Sequence, residues 1–186
     1  MTPAAPFGPY EFQLVLLRRM ADHQPGLVED ALRELGRTRG EMREANRVWQ
    51  SWAHARRGPG EYDRYRQVLG EPVARQAAPE FASEVLQWDL PLWPDLRWEV
   101  VVGGQGRSRQ VWARHLTRRP GAPVAAPRSE AELLPWSCTF AEVRRAFPDA
   151  VPREGDAPTR ARLDLVLPGG VARTADFTWG LLQELR

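Results

Sequence analysis

Arginine is the side chain through which this sequence has most to offer chemically. All 26 basic residues are arginine, with no lysine and no isoleucine among 186 residues, a bias of the kind a GC-rich genome imposes. A guanidinium is planar, permanently charged and presents a rigid fork of donors, so any phosphate or carboxylate contact is made in that geometry. Two stretches concentrate the candidates. In the first, Thr38, Arg39 and Arg43 follow Gly36, with Arg47 one turn further on. In the second, residues 97–119, six arginines stand against a single acidic residue, Glu99. There Arg97, Arg107, Arg109 and Arg114 are interleaved with Trp98 and Trp112. Guanidinium groups among aromatic rings can follow a phosphate backbone and stack on bases. The same pattern also fits a solvated sheet face above two core tryptophans.

Other reactive side chains do not assemble into a motif. Cys138 is the one cysteine, which excludes an internal disulfide and a cysteine-based zinc site and fits a reducing cytoplasm. It precedes a predicted helix, where a thiolate would be favoured, but no His or Asn partner stands at a recognisable spacing. A buried structural cysteine is the simpler reading. His23, His54 and His115 lack metal-ligand spacing. Gly103-Gly104-Gln105-Gly106 lacks the lysine and the following helix of a phosphate-binding loop. Asp89, Asp95, Glu99, Asp164 and Asp176 have no spacing that fixes a pair. The sequence therefore predicts a protein that is not an enzyme and uses no metal or cofactor. Its start lacks the charged and apolar regions of a signal peptide, and no apolar run approaches a membrane span, so a cytoplasmic protein away from membranes is expected.

The elements that must position these residues follow from periodicity and breakers. Residues 1–10, with three prolines and a glycine, read as an irregular arm. Helical spacing of Phe12, Val15, Leu16 and Met20 predicts a helix over 11–23, ended by Gln24-Pro25-Gly26. A second helix is expected from Leu27 to Leu35, with Gly36 just past its end, where a positive φ is cheap only for glycine. Thr38 and Glu41 form an S/T-x-x-E capping box that opens a third helix. Its apolar seam, Met42, Ala45, Trp49 and Trp52, can pack on the first two helices or on a second copy of the chain. Arg56-Arg57-Gly58-Pro59-Gly60 stops it, and a short helix from Glu61 to Leu69 ends at Gly70.

Residues 71–96 change texture. Pro79 to Trp88 reads as a helix, and Asp89 to Asp95 as a Pro- and Trp-rich connection packed on the protein. Beyond it, Arg97–Val102 and Arg107–Leu116 predict a hairpin, and Arg160–Leu167 and Val171–Phe177 a second one. In the second, Ala161, Leu163, Leu165 and Leu167 face one way and the arginines and Asp164 the other. Ser129/Glu132 and Thr139/Glu142 predict two more capping boxes, and Thr178–Leu185 a closing helix. The expected fold is α+β. A helical domain over 11–70 and a junction over 71–96 precede a domain over 97–186, in which the two hairpins form one four-stranded antiparallel sheet with packed helices.

The run Glu34-Leu35-Gly36-x-Thr38-Arg39-x-x-Met42-Arg43-Glu44-Ala45 resembles the helix-turn-helix of GntR-type winged-helix regulators, whose comparable segment reads x-E-L-G-x-S/T-R-x-x-V-R-E-A. The likeness covers about thirteen residues. Leu32 stands where that family usually has a small residue, and Arg37 where an apolar one is common. The resemblance implies that the third helix enters the major groove, with Arg39 and Arg43 reaching guanine edges or phosphates. The expected function is DNA binding, as a regulator or nucleoid-type factor, with the 97–119 hairpin adding phosphate contacts and a homodimer as one possible assembly. The alternative is a protein–protein interaction module in which Trp49, Trp52, Trp93 and Trp98 form or flank an apolar surface.

Overall fold

The structure is a computed structural model that describes residues 7–53, 60–78, 82–104 and 109–186. Of the expectations above, the arm over 1–6, His54, the stop over 54–59, the start of the 79–88 helix, and the hairpin turn over 105–108 with Arg107 lie outside the described residues. The described residues hold five α-helices and two four-stranded antiparallel sheets, an α+β protein. In chain order they are α1 (Pro9–Met20), α2 (Pro25–Glu34), α3 (Arg39–Ala53), α4 (Glu61–Leu69), β1 (Ala74–Ala78), β2 (Ser83–Asp89), β3 (Leu96–Gly103), β4 (Gln110–Arg118), α5 (Phe140–Ala146), β5 (Val151–Glu154), β6 (Arg160–Leu167), β7 (Val171–Thr178) and β8 (Leu181–Leu185). No helix among the described residues is long and apolar enough to cross a membrane. The chain forms two compact units: 1–93 with 100–113, and 94–99 with 114–186.

In the first unit α1 is the common partner, packing on α2, α3 and α4. Phe12, Leu14, Val15, Leu16, Leu17 and Met20 are all buried. A helix apolar on so much of its circumference must be surrounded. Phe12 meets Trp49 of α3 and Tyr65 of α4 at 5.2 and 5.8 Å between ring centroids. Gln13, fully buried, accepts the Leu92 amide at 2.6 Å and so fixes the Pro- and Trp-rich connection expected there. Pro25 and Gly26, expected as a break, instead form the first turn of α2, a position where proline loses no hydrogen bond.

The expected helix ending at Trp88 is a strand. Ala74–Ala78 and Ser83–Asp89 pair antiparallel, with Ala78 opposite Ser83 and Ala74 opposite Gln87. Glu84, Leu86 and Gln87 are good helix formers, but Leu86 and Trp88 are buried on one side with Gln87 between them only half-buried, a period of two. Pairing and burial override propensity here. The Trp88 indole donates to the Gly70 carbonyl at 2.9 Å, which ties the strand to the end of α4. The sheets are sequential meanders, β1-β2-β3-β4 and β5-β6-β7-β8. The two expected hairpins thus belong to different sheets, each completed by strands the sequence did not announce.

The second unit builds its core on one face of β5–β8. Leu163, Leu165, Leu167, Ala175, Phe177 and Leu182 are buried with Val143, Cys138 and Leu133, and Phe140 and Phe147 pack against them. The β6 alternation is as expected. On its other face Asp164 accepts from Arg153 and Thr174, both at 2.9 Å, and Asp176 from Arg162 and Arg186 at 3.0 and 2.7 Å. The expected closing helix is β8. Trp179 and Gly180, at φ 54° and 76°, make a tight turn, and Leu181–Leu185 returns along β7. Its outer edge is taken up by residues 136–140: the Trp136 amide donates to Leu182, Leu182 to Cys138, and Phe140 to Gly180, at 2.8–2.9 Å. The Ser129 box is absent. A 3-10 turn, Glu130–Glu132, forms without a side-chain cap, and Glu132 instead accepts the Arg128 amide at 2.7 Å.

The Thr139/Glu142 box does form and opens α5. Glu142 is 2% exposed and accepts from the Thr139 amide and hydroxyl, the Ala125 amide and the Arg118 guanidinium, all at 2.7–3.0 Å. Burial pushes its carboxyl up, but Arg118, the two amides and the hydroxyl outweigh that and hold it below the usual carboxylate range. A depressed folded pKa means the carboxylate stabilises the fold fully above the unfolded value of about 4.3 and loses that contribution as pH falls through the folded value. Glu142→Ala leaves Arg118 without its partner and is expected to cost about 3–5 kcal/mol in chemical denaturation at neutral pH. Glu142→Gln is expected to lose less stability than the parent between pH 5 and 3, read from denaturation midpoints at each pH.

Candidate nucleic-acid interface

The α2–α3 joint is made by local chemistry at each step. α2 ends in a double hydrogen-bond closure: the Gly36 amide donates to Arg33 at 3.1 Å and the Arg37 amide to Leu32 at 2.8 Å. Gly36 sits at φ +62°. Thr38 then caps α3. Its amide and hydroxyl donate to Glu41 at 2.8 and 2.9 Å, and the Glu41 amide returns a bond to its hydroxyl at 3.2 Å. The Thr38 amide and hydroxyl, with Arg37, hold the Glu41 carboxyl below its ordinary value. Arg37, where the GntR-type pattern is apolar, bridges Glu41 and Glu11 of α1 at 3.0 and 3.3 Å. It fixes the joint by charge where an apolar residue would do so by packing. Leu32 is buried.

Met42, Ala45 and Trp49 form the buried stripe of α3, and Trp52, expected to continue it, is exposed. On the opposite side Arg39, Arg43 and Arg47, spaced four residues apart, are all exposed. Arg39 pairs with Glu29 of α2 at 2.8 Å, and Arg47 holds Glu44 through two bonds of 2.8 and 2.6 Å. Arg43 makes no ion pair among the described residues. The Arg39 and Arg47 side chains are 56% and 69% exposed, so their pairs are of the solvent-screened surface kind and easily exchanged. A cleft of about 220 Å³ lies beside the start of the stripe, lined by Arg18 of α1, Pro25 and Val28 of α2, and Arg39, Met42 and Arg43 of α3. Arg18, also bonded to Asp22 at 2.9 Å, is the member sequence reasoning missed. Its signal was only an i,i+4 Arg–Asp pair on α1, and the approach to Arg39 is made by the fold.

The hairpin arginines are spread over different surroundings. Arg109 is exposed, bonded to Glu84 at 2.9 Å, with its guanidinium 4.7 Å from the Tyr62 ring centroid. Arg97 and Arg114 are half-buried and belong to the second unit. Trp98 is fully buried and meets Trp179 edge-on at 5.4 Å, so it is a core residue and offers no face to a base. Trp112 is exposed, with its ring over Gly103 where any Cβ would overlap it. Trp49 and Trp93 are buried as well, so of the four tryptophans considered for an apolar interface only Trp52 has substantial exposed surface. Cys138 is buried in the second unit's core. This agrees with the simpler reading of a structural cysteine, and burial pushes its thiol up, away from the thiolate a helix start would favour. Among the described residues no three His, Cys, Asp or Glu side chains gather as a metal site.

Compared with protein-family models, curated proteins and solved structures, the chain matches none.

A Cβ on Gly36 would meet no atom within 4 Å, so Gly36→Ala isolates the backbone term. Holding alanine at positive φ is expected to lower stability by about 1 kcal/mol, read as a shift in denaturant midpoint at unchanged slope.

Proposed function

We propose that the chain binds DNA, as a regulator or nucleoid-type factor, by laying the exposed side of α3 against the duplex. The observation that carries this reading is the Arg39, Arg43, Arg47 stripe on a helix whose opposite side is buried. The capped start of α3 and the tight closure of α2 hold its first two turns rigidly, which is what a helix read by a groove requires. Among the described residues Arg43 carries no ion pair to give up, and the surface pairs of Arg39 and Arg47 exchange for phosphate at small cost. Arg18 adds a fourth guanidinium near the helix start. Phosphate contact is the role these residues suit best, and Thr38, its hydroxyl committed to Glu41, acts through the cap.

Fluorescence anisotropy with a labelled duplex of mixed sequence tests the reading. Affinity is expected to fall steeply between about 50 and 200 mM salt. The Arg39→Ala/Arg43→Ala/Arg47→Ala variant should weaken binding to all duplexes alike and lower the salt slope by about 1 per arginine removed. Absence of binding at low salt, or a triple variant with unchanged slope, overturns the reading.

A further inference from the structure

A second cavity, of about 240 Å³, is lined only by residues of the 94–99 and 114–186 unit. Its apolar wall comes from Leu116, Phe140, Ala141, Pro158 and Ala161, and Trp179 and Gly180 close one side. The turn at Trp179 is an unusual construction. It joins β7 to β8, and Thr178 pairs with Leu181 across it. A two-residue hairpin turn with both residues at positive φ ordinarily takes asparagine, aspartate or glycine first, and here the first residue is a tryptophan at φ 54°. Its ring meets Trp98 edge-on at 5.4 Å, a contact that a phenylalanine ring could also make. Packing therefore accounts for an aromatic ring and not for the indole N–H. Trp179 is 7% exposed, and that N–H has no hydrogen-bond partner among the described residues. The Thr159 hydroxyl, on the same lining, is likewise buried and unpartnered among them. Buried polar groups without partners are uncommon, and strained backbone gathers at ligand clamps.

The charges around the cavity narrow the ligand. Arg160 is bonded to Asp156 at 2.9 and 3.1 Å, His115 lies 3.3 Å from Glu99, and Arg114 is engaged as well. With His115 neutral, Arg114 and Arg160 stand against Glu99 and Asp156 and leave no net charge. A charged occupant would be desolvated here without a counter-charge, whereas a plain hydrocarbon would leave the indole N–H and the hydroxyl unpaired. An uncharged molecule with one oxygen acceptor avoids both costs. Size sets the body. An apolar cavity of about 150 Å³ takes benzene. One of about 240 Å³ has room for a ring with a short substituent. We propose that this cavity binds a small uncharged aromatic molecule bearing a carbonyl group, its oxygen accepting from the Trp179 indole and the Thr159 hydroxyl and its ring against Phe140 and Pro158.

Amide and indole N–H chemical shifts of the ¹⁵N-labelled full chain, titrated with acetophenone, test this. The shifts should saturate by about 10 mM, tenfold above a millimolar Kd, with the largest at Phe140, Ala141, Gly180 and the Trp179 indole. Sodium benzoate, which keeps the ring and adds a charge, should bind at least about tenfold more weakly. Toluene, which keeps the ring and lacks the acceptor, should bind about fivefold more weakly than acetophenone. Trp179→Phe identifies the indole resonance by its disappearance and removes the donor while keeping a ring. It should weaken acetophenone about fivefold and leave toluene unchanged, a split that a merely structural role for the indole would not produce. Ala141→Trp, at an exposed position on the rim, should abolish the shifts while the remaining spectrum stays that of the folded parent. The proposal is overturned if acetophenone fails to saturate, if benzoate binds as tightly, if Trp179→Phe changes acetophenone and toluene alike, or if the shifts survive Ala141→Trp.

Discussion

The carboxylate of Glu142 sits where four pieces of backbone must be held together: the end of β4 through Arg118, the loop at Ala125, the turn at Ser137 through the same guanidinium, and the start of α5 at Thr139. Each of these would otherwise carry an unmatched polar group in a region with little access to water. One buried charge is tolerable because all its lone-pair directions are used and its partner is the fork-shaped cation best suited to fill two of them. The apolar core of the second unit follows from this. With α5 fixed at its first turn, Val143 and Phe140 fall against Leu163 and Phe177, and the centroid distance of 5.1 Å between the two phenylalanine rings marks the fit.

Local signals in the chain were strong where a few neighbouring residues decide the outcome. The boxes at Thr38/Glu41 and Thr139/Glu142, the positive φ at Gly36, and the β6–β7 hairpin with its Leu163, Leu165, Leu167 face are of this kind, because capping and alternation are set within a turn or two. Signals failed where partners distant in the chain decide. Leu181-Leu182-Gln183-Glu184-Leu185 has helix-forming composition and lies flat because β7 on one side and residues 136–140 on the other both offer hydrogen bonds. Glu84 to Trp88 behaves alike against β1. The Ser129 box failed although its residues fit, since the segment is too short to hold an α-helical turn.

The surfaces with chemical interest divide along the same line. Exposure of Arg39, Arg43 and Arg47 could be read from helical spacing against Met42, Ala45 and Trp49. Their engagement with Glu29 and the nearness of Arg18 could not, since these depend on how α1 and α2 pass the third helix. The cavity shared by Arg114 and Arg160 left no trace in the sequence, because strands far apart in the chain must first be placed. The arginine-rich hairpin gave the reverse lesson. Its composition was conspicuous, yet Trp98 proved to be core and Arg109 is spent on Tyr62 and Glu84.

The second sheet treats its two margins differently. β5 is four residues long, all exposed, and one of them is Pro152, which has no amide to donate. At the opposite margin Leu182 of β8 is hydrogen-bonded on its outside by Trp136 and Cys138, and Gly180 just before it by Phe140. A margin that is short and proline-bearing, or already occupied, gives an incoming strand little to pair with. The unit is thereby guarded against strand-by-strand aggregation while its chain folds at high concentration. Association of two copies through this unit is thereby steered toward side-chain contacts and away from a shared sheet.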